Sequence, residues 1–138
     1  MSGRSFIDTN VLVYAFDSSE PEKQQMALEA LAKSGDRSVL STQVLSEFYV
    51  VATRKLANPV ASRVAADVVD QLSRLPIVDT DTSLVRSAID ISVRSQISYW
   101  DGLIVAAAIA SGCDRILTED LSTGATFNGV EIVNPFVV

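Results

Sequence analysis

The sequence predicts an α/β fold: three layers, with a central, mostly parallel sheet of four to five strands flanked by helices. Two patterns carry that expectation. Short β-like runs alternate with helical ones along the whole chain, and strands separated by helices pair in parallel with both sheet faces covered. No Ser/Gly/Pro-rich linker or internal repeat interrupts the alternation, so residues 1–138 read as a single domain. With 48% apolar and 20% charged residues, the chain has an ordinary globular composition and enough length to bury a sizeable core.

Residues 4–7 read as the first strand, and Asn10–Phe16 turns into a short helix. Pro21 suits the first turn of a second helix running to about Ser34, where Gly35 ends it. Ser38–Leu40 is a short strand, followed by a helix from about Thr42 to Leu56. Asn58-Pro59 breaks the chain before another helix that reaches about Arg74. Pro76–Val78 is a third strand, and Asp81 or Thr82 caps the next helix, to about Ser95. Ser98 caps the nearly all-apolar helix 99–111, which Gly112 stops. Ile116–Thr118 and Glu131–Val133 are the last two strands.

Composition narrows the chemistry by subtraction. The chain contains no histidine, which removes the commonest general base, the Ser-His-Asp arrangement and every histidine-containing metal site. Cys113 is the only cysteine, so intramolecular disulfides and cysteine-based zinc sites are also out. Chemistry must run on carboxylates, hydroxyls, Lys or Arg, and such oxygen ligands suit Mg²⁺ or Mn²⁺ better than zinc or copper. The net charge of −6 argues mildly against a nucleic-acid partner, although a metal-binding acid cluster would account for much of it. No apolar run reaches the ~18 residues a membrane span needs. MSGRSFIDTN lacks an apolar stretch ahead of a small-residue cleavage site, so the expected location is the cytoplasm.

Four acids stand where burial would be expensive: Asp8, Glu47, Asp101 and Asp120. Asp8 ends the strand in RSFIDTN and Asp120 follows the one in RILTED, positions that could be mere turn residues. In open parallel sheets, however, ligands bind beyond the carboxyl ends of strands. Glu119 sits beside Asp120, and the sequence leaves open which of the two points inward. Asp101 could simply favour the helix dipole in a Ser98-x-x-Asp101 capping box. Yet Ile104, Val105 and Ala108 share its face, which points it into the protein or a cleft. Glu47 lies on VLSEFYVVA between Val44 and Val51, flanking the buried stripe; by itself it reads as a solvated helix residue. Two carboxylates ~4 Å apart repel by roughly 4 kcal/mol at an effective dielectric near 20. Four together would demand protonation or a cation, and a hard divalent ion is the natural partner.

Taken in order, FIDTNVLVYAFD, LSTQVLSEFYVV, SYWDGLIVAAAIASGCDRILTEDL and the closing VEIVNPF resemble the PIN-domain ribonucleases, and among them the VapC-like toxins of toxin–antitoxin pairs. The resemblance covers essentially the whole chain. It implies a PIN-like fold in which Asp8 and Asp101 hold the metal most directly, Glu47 is the second acid of the quartet, and Asp120 the fourth. Asn10 and Thr118 would be supporting groups. Gly102 departs from the family, which often has alanine there, and is expected to leave its helix slightly looser.

The implied reaction is Mg²⁺- or Mn²⁺-dependent hydrolysis of an RNA phosphodiester, and the implied partners are an antitoxin and a second copy of the chain in a homodimer. Arg54, Lys55 and Arg94 are candidate phosphate contacts, and a solvated helix face explains them equally well. The amphipathic helices around 21–34 and 60–74 are candidate interface surface or ordinary core packing. The residues oppose two rival readings. A non-catalytic module sharing the fold is opposed by the presence of all four acids. An acidic-pocket phosphotransfer domain is opposed by the lack of any Lys after Lys55 and by Asn10 standing where a second acid would be needed.

Overall fold

Strand β1 (Arg4–Ile7) lies inside a six-stranded sheet, and the side of it that the chain takes next organises the rest. A computed structural model of the chain describes residues 3–137. From β1, helices α1 (Thr9–Ala15) and α2 (Pro21–Ser34) lead through a 3-10 turn at Gly35–Arg37 to β2 (Ser38–Ser41), which pairs with β1. Helices α3 (Thr42–Arg54) and α4 (Ser62–Leu72) lead on to β3 (Ile77–Val78), beside β2. Then α5 (Thr82–Ser95) and α6 (Tyr99–Ala110) carry the chain back to β4 (Cys113–Leu117), on the other side of β1. A hairpin of β5 (Thr126–Phe127) and β6 (Val130–Val133) completes that half, giving the order β3-β2-β1-β4-β6-β5. Every pairing is parallel except β5 with β6. Right-handed crossovers then put α1–α4 on one face and α5–α6 on the other.

Local chemistry fixes the element ends. Pro21 opens α2, the Asp81 carboxylate accepts from the Leu84 N–H at 2.8 Å to cap α5, and the Ser98 hydroxyl accepts from the Asp101 N–H at 3.0 Å to cap α6. Phe6, Ile7, Val39, Leu40, Ile116 and Ile132 carry the sheet into the core. In α6 every residue from Gly102 to Ala108 is buried, as an all-apolar helix must be. Among the described residues no helix is long and apolar enough to cross a membrane.

Two expectations are corrected. The sheet has six strands, because Thr126–Phe127 pairs with Val130–Glu131 across an Asn128-Gly129 turn. Both turn residues hold positive φ (49° and 84°), the conformation a two-residue hairpin requires and Asn-Gly supplies. Gly102 is the second correction. A Cβ there would stand 2.7 Å from the Ala88 carbonyl oxygen and 3.2 Å from the Ser92 Cβ, so the glycine lets α6 close onto α5. It tightens the crossing where looseness was expected. Gly102→Ala should therefore lose about 1–2 kcal/mol in urea unfolding, overpacking outweighing the roughly 1 kcal/mol that alanine gains in helix propensity. An unchanged or raised midpoint would show that the α5 backbone gives way freely.

Candidate active site

The chain steps from β1 to β2 and β3 on one side and reaches β4 and β6 on the other, so the crevice between the carboxyl ends of β1 and β4 is the topological switch point of the sheet. Asp8 and the Thr118–Asp120 turn are the first residues beyond those two ends. The Asp8 N–H still donates to the Leu117 carbonyl at 3.0 Å, continuing the ladder. Its side chain begins α1 instead, accepting from the Thr9 N–H at 2.7 Å.

A hydroxyl and an amide knit the two strand ends together. Thr118, fully buried, donates to Asp8 Oδ2 at 2.7 Å and accepts from the Asp120 N–H at 3.0 Å. Asn10 Nδ2 lies 3.4 Å from Asp8 Oδ2, 3.3 Å from Thr118 Oγ1 and 3.1 Å from Asp120 Oδ2, and its Oδ1 accepts from the Glu119 N–H at 3.3 Å. Glu47 reaches the same rim from α3, where Thr9 Oγ1 donates to its Oε1 at 2.7 Å. Asp101 stands on the first turn of α6, half-buried. Ser98 supplies the cap, and among the described residues the Asp101 carboxylate accepts no hydrogen bond in return.

The acids feel one another. Burial pushes the Asp8 pKa up to about 6; its bonds from Thr118 and Thr9 oppose that, and the charges of Asp120 and Glu47 add to it. Asp120 is also raised, first by desolvation and then, against the Asn10 bond, by Asp101, Glu119 and Glu47. All four predicted acids thus share one field, with Asp101 acting on Asp120. Glu119 and Asp120 take different partners. Asp120 faces Asn10, while Glu119 turns away to accept from the Tyr14 hydroxyl at 2.9 Å and from Lys23 Nζ at 3.1 Å.

Donor chemistry fits a hard divalent ion: carboxylates, a hydroxyl and amides, with a buried anion whose repulsion by its neighbours a cation would relieve. Among the described residues no three acidic, His or Cys side chains converge closely enough to enclose an ion by themselves. Gln43, one turn before Glu47, donates to Glu47 Oε2 at 3.4 Å and leaves its own Oε1 buried and without a partner among the described residues.

Of the candidate phosphate contacts, Arg54 lies seven residues beyond Glu47 on the same side of α3, ~10 Å further along. Arg94 is engaged by Asp90 at 3.1 Å, and Lys55 lies exposed at the end of α3. Thr9, Gln43, Tyr14 and Lys23 were missed. Only Thr9 carried a signal, its place beside Asp8.

The PIN domain family matches residues 5–123. Solved structures agree on the fold. VapC20 of Mycobacterium tuberculosis, described as a sarcin-ricin loop cleaving toxin, is 16% identical with a TM-score of 0.66, over 81% of this chain and 86% of that one. A toxin–antitoxin complex from Klebsiella pneumoniae contains a chain 20% identical, TM-score 0.71, over 97% and 99%. VapBC2 of Rickettsia felis, bound to a DNA fragment from its promoter, gives 23%, 0.63, 94% and 97%. No curated protein matches the sequence significantly.

Proposed function

Since the chain belongs to the PIN domain family, we propose that it is a Mg²⁺- or Mn²⁺-dependent endoribonuclease and the toxin of a type II toxin–antitoxin pair. One observation carries the nuclease reading: at the switch point of the sheet a buried Asp8 shares Asn10 with Asp120, and Glu47 reaches the same rim through Thr9. Burial pushes the Asp8 carboxyl up first and its acidic neighbours add to that, a combination a bound cation would relieve.

In this reading Asp8 and Asp101 hold the ion most directly, with Glu47 and Asp120 completing the quartet. A bound divalent ion supplies an acidified water and positive charge for an in-line displacement at phosphorus. The chain supplies position. Thr118, the Thr9 N–H and Asn10 fix both Asp8 oxygens, and Thr9 and Gln43 orient Glu47. Arg54, in the last turn of α3, is the candidate contact for an RNA phosphate in this reading. Lack of histidine is no obstacle, because carboxylates hold the site without an imidazole base.

Partners follow from the same reading. The toxin–antitoxin complexes among the structural neighbours support an antitoxin for this chain, and a homodimer is proposed with it. Apolar surface for such contacts exists between α3 and α4, where Leu45, Tyr49, Val50, Ala66 and Val69 line an open groove of about 460 Å³. With no membrane-spanning helix among the described residues, a cytoplasmic location is proposed.

The test is RNA cleavage by the purified protein with Mg²⁺, with EDTA, and after Mg²⁺ or Mn²⁺ is restored. Cleavage should vanish in EDTA and return with either ion. Equal cleavage in all three conditions overturns the metal mechanism. No cleavage of total cellular RNA in any of them favours the non-catalytic module.

A further inference from the structure

Glu119 and Asp120 are adjacent acids in a turn beside the site, and something outside the turn decides which of them enters it. We propose that Lys23 and Tyr14 form a latch that withholds Glu119 from the acid crevice and thereby selects Asp120 as its fourth carboxylate, a positioning role that rests on the nuclease reading above.

The latch is closed on itself. Tyr14 donates to Glu119 Oε1 at 2.9 Å; Lys23 Nζ donates to Glu119 Oε2 at 3.1 Å and to the Tyr14 hydroxyl at 3.1 Å. Both Glu119 oxygens are therefore engaged, and the three groups form a ring of hydrogen bonds. The ammonium also lies 4.7 Å from the centre of the Tyr14 ring and 5.7 Å from that of Phe136, and those two rings meet edge-on at 4.9 Å. An ordinary surface ion pair contributes little and is easily lost. This one is braced by two aromatic rings, so its position is defined.

Four segments meet there: α1 through Tyr14, α2 through Lys23, the turn after β4 through Glu119, and the C-terminal segment through Phe136. On the other side of the turn, Asn10 Nδ2 donates to Asp120 and Asn10 Oδ1 accepts from the Glu119 N–H, so the backbone between the acids is pinned as well. Asn10 and Tyr14 lie four residues apart on α1, one helical turn. The same helix thus takes Asp120 with one residue and Glu119 with the next along its face. Opening the latch would leave a fifth carboxylate free beside a crevice that already repels its members.

The prediction concerns metal binding before catalysis. Lys23→Ala and Tyr14→Phe each free one side of Glu119. Both should tighten Mn²⁺ binding to the purified protein, measured by calorimetry, about fivefold or more for Lys23→Ala and less for Tyr14→Phe. Both should lower kcat for RNA cleavage about tenfold with little change in KM, because an extra carboxylate displaces Asp120. Adding Glu119→Gln should return Mn²⁺ affinity to that of the wild type in both backgrounds.

Tyr14→Phe separates the latch from simple charge removal, since it changes no charge. If Tyr14→Phe binds Mn²⁺ as the wild type does, or if Glu119→Gln fails to cancel the Lys23→Ala effect, the latch is wrong. A Lys23→Ala effect confined to KM and steepened by salt would instead make Lys23 a direct phosphate contact and equally sink the proposal. Failure of the wild type to bind Mn²⁺ removes the nuclease reading and the latch together, an outcome distinct from the other three.

Discussion

Asp8→Asn is expected to abolish RNA cleavage while leaving the metal-free protein at least as stable as the wild type at neutral pH. Loss of activity should exceed the ten- to hundredfold typical of residues that only support a metal ligand. Stability behaves oppositely because the carboxylate is buried at the expense of the fold. Its pKa is about 6 in the folded chain against 3.8 for a free aspartate side chain, so the folded state binds the proton more tightly. The stabilisation this gives is fully present below about pH 4, and is lost as pH rises through 6. That rise corresponds to roughly 3 kcal/mol at pH 7.

Asparagine cannot ionise, so that loss disappears. Against it, an amide replaces one of the two oxygens that accept from Thr9 and from Thr118, which costs about 1–2 kcal/mol. Urea unfolding in EDTA between pH 4 and 7.5 should show wild-type stability falling across that window relative to the variant. Mn²⁺ should restore the wild type and leave the variant unmoved. A variant several kcal/mol weaker than the wild type at pH 7 would mean that Asp8 serves the fold.

How much of this was legible in the sequence depends on how local each cause is. Asp8 and Asp120 could be read because each follows an apolar strand, and a parallel sheet delivers neighbouring carboxyl ends to one rim. Asp101 could be read because its helix left it no polar side. Glu47 could not: what ties it to the rim is the hydroxyl of Thr9, 38 residues earlier in the chain. The choice between Glu119 and Asp120 is set by Tyr14 and Lys23, 105 and 96 residues away, and nothing in the TED segment announces them.

The fold shows the same division. β5 is two residues long and exists only through its pairing with β6, and its one local signal is the Asn128-Gly129 turn. Gly102 was read as a local weakness of one helix. Its reason lies in a second helix, whose Ala88 carbonyl leaves no room for a methyl group.

Thr118→Val should be the most damaging substitution that leaves every acid in place. Valine keeps the shape of threonine and removes only the hydroxyl, but that single atom serves three partners: Asp8, the Asp120 N–H and Asn10. Asp8 would lose the largest of the interactions that hold its pKa down, so its proton would be bound more tightly still. The Asp120 N–H would lose its acceptor at the turn. Together these should lower stability by about 2–3 kcal/mol and activity by ten- to a hundredfold.

Thr118→Ser is the informative control, because it retains the hydroxyl and gives up a buried methyl worth about 1 kcal/mol. Near wild-type cleavage by the serine variant with a disabled valine variant would locate the effect in the hydroxyl. Equal activity in all three proteins would mean that Asn10 alone, which touches Asp8, Thr118 and Asp120, orders the acids. The two strand ends would then be held in register by the amide of α1 rather than by the residue that follows β4.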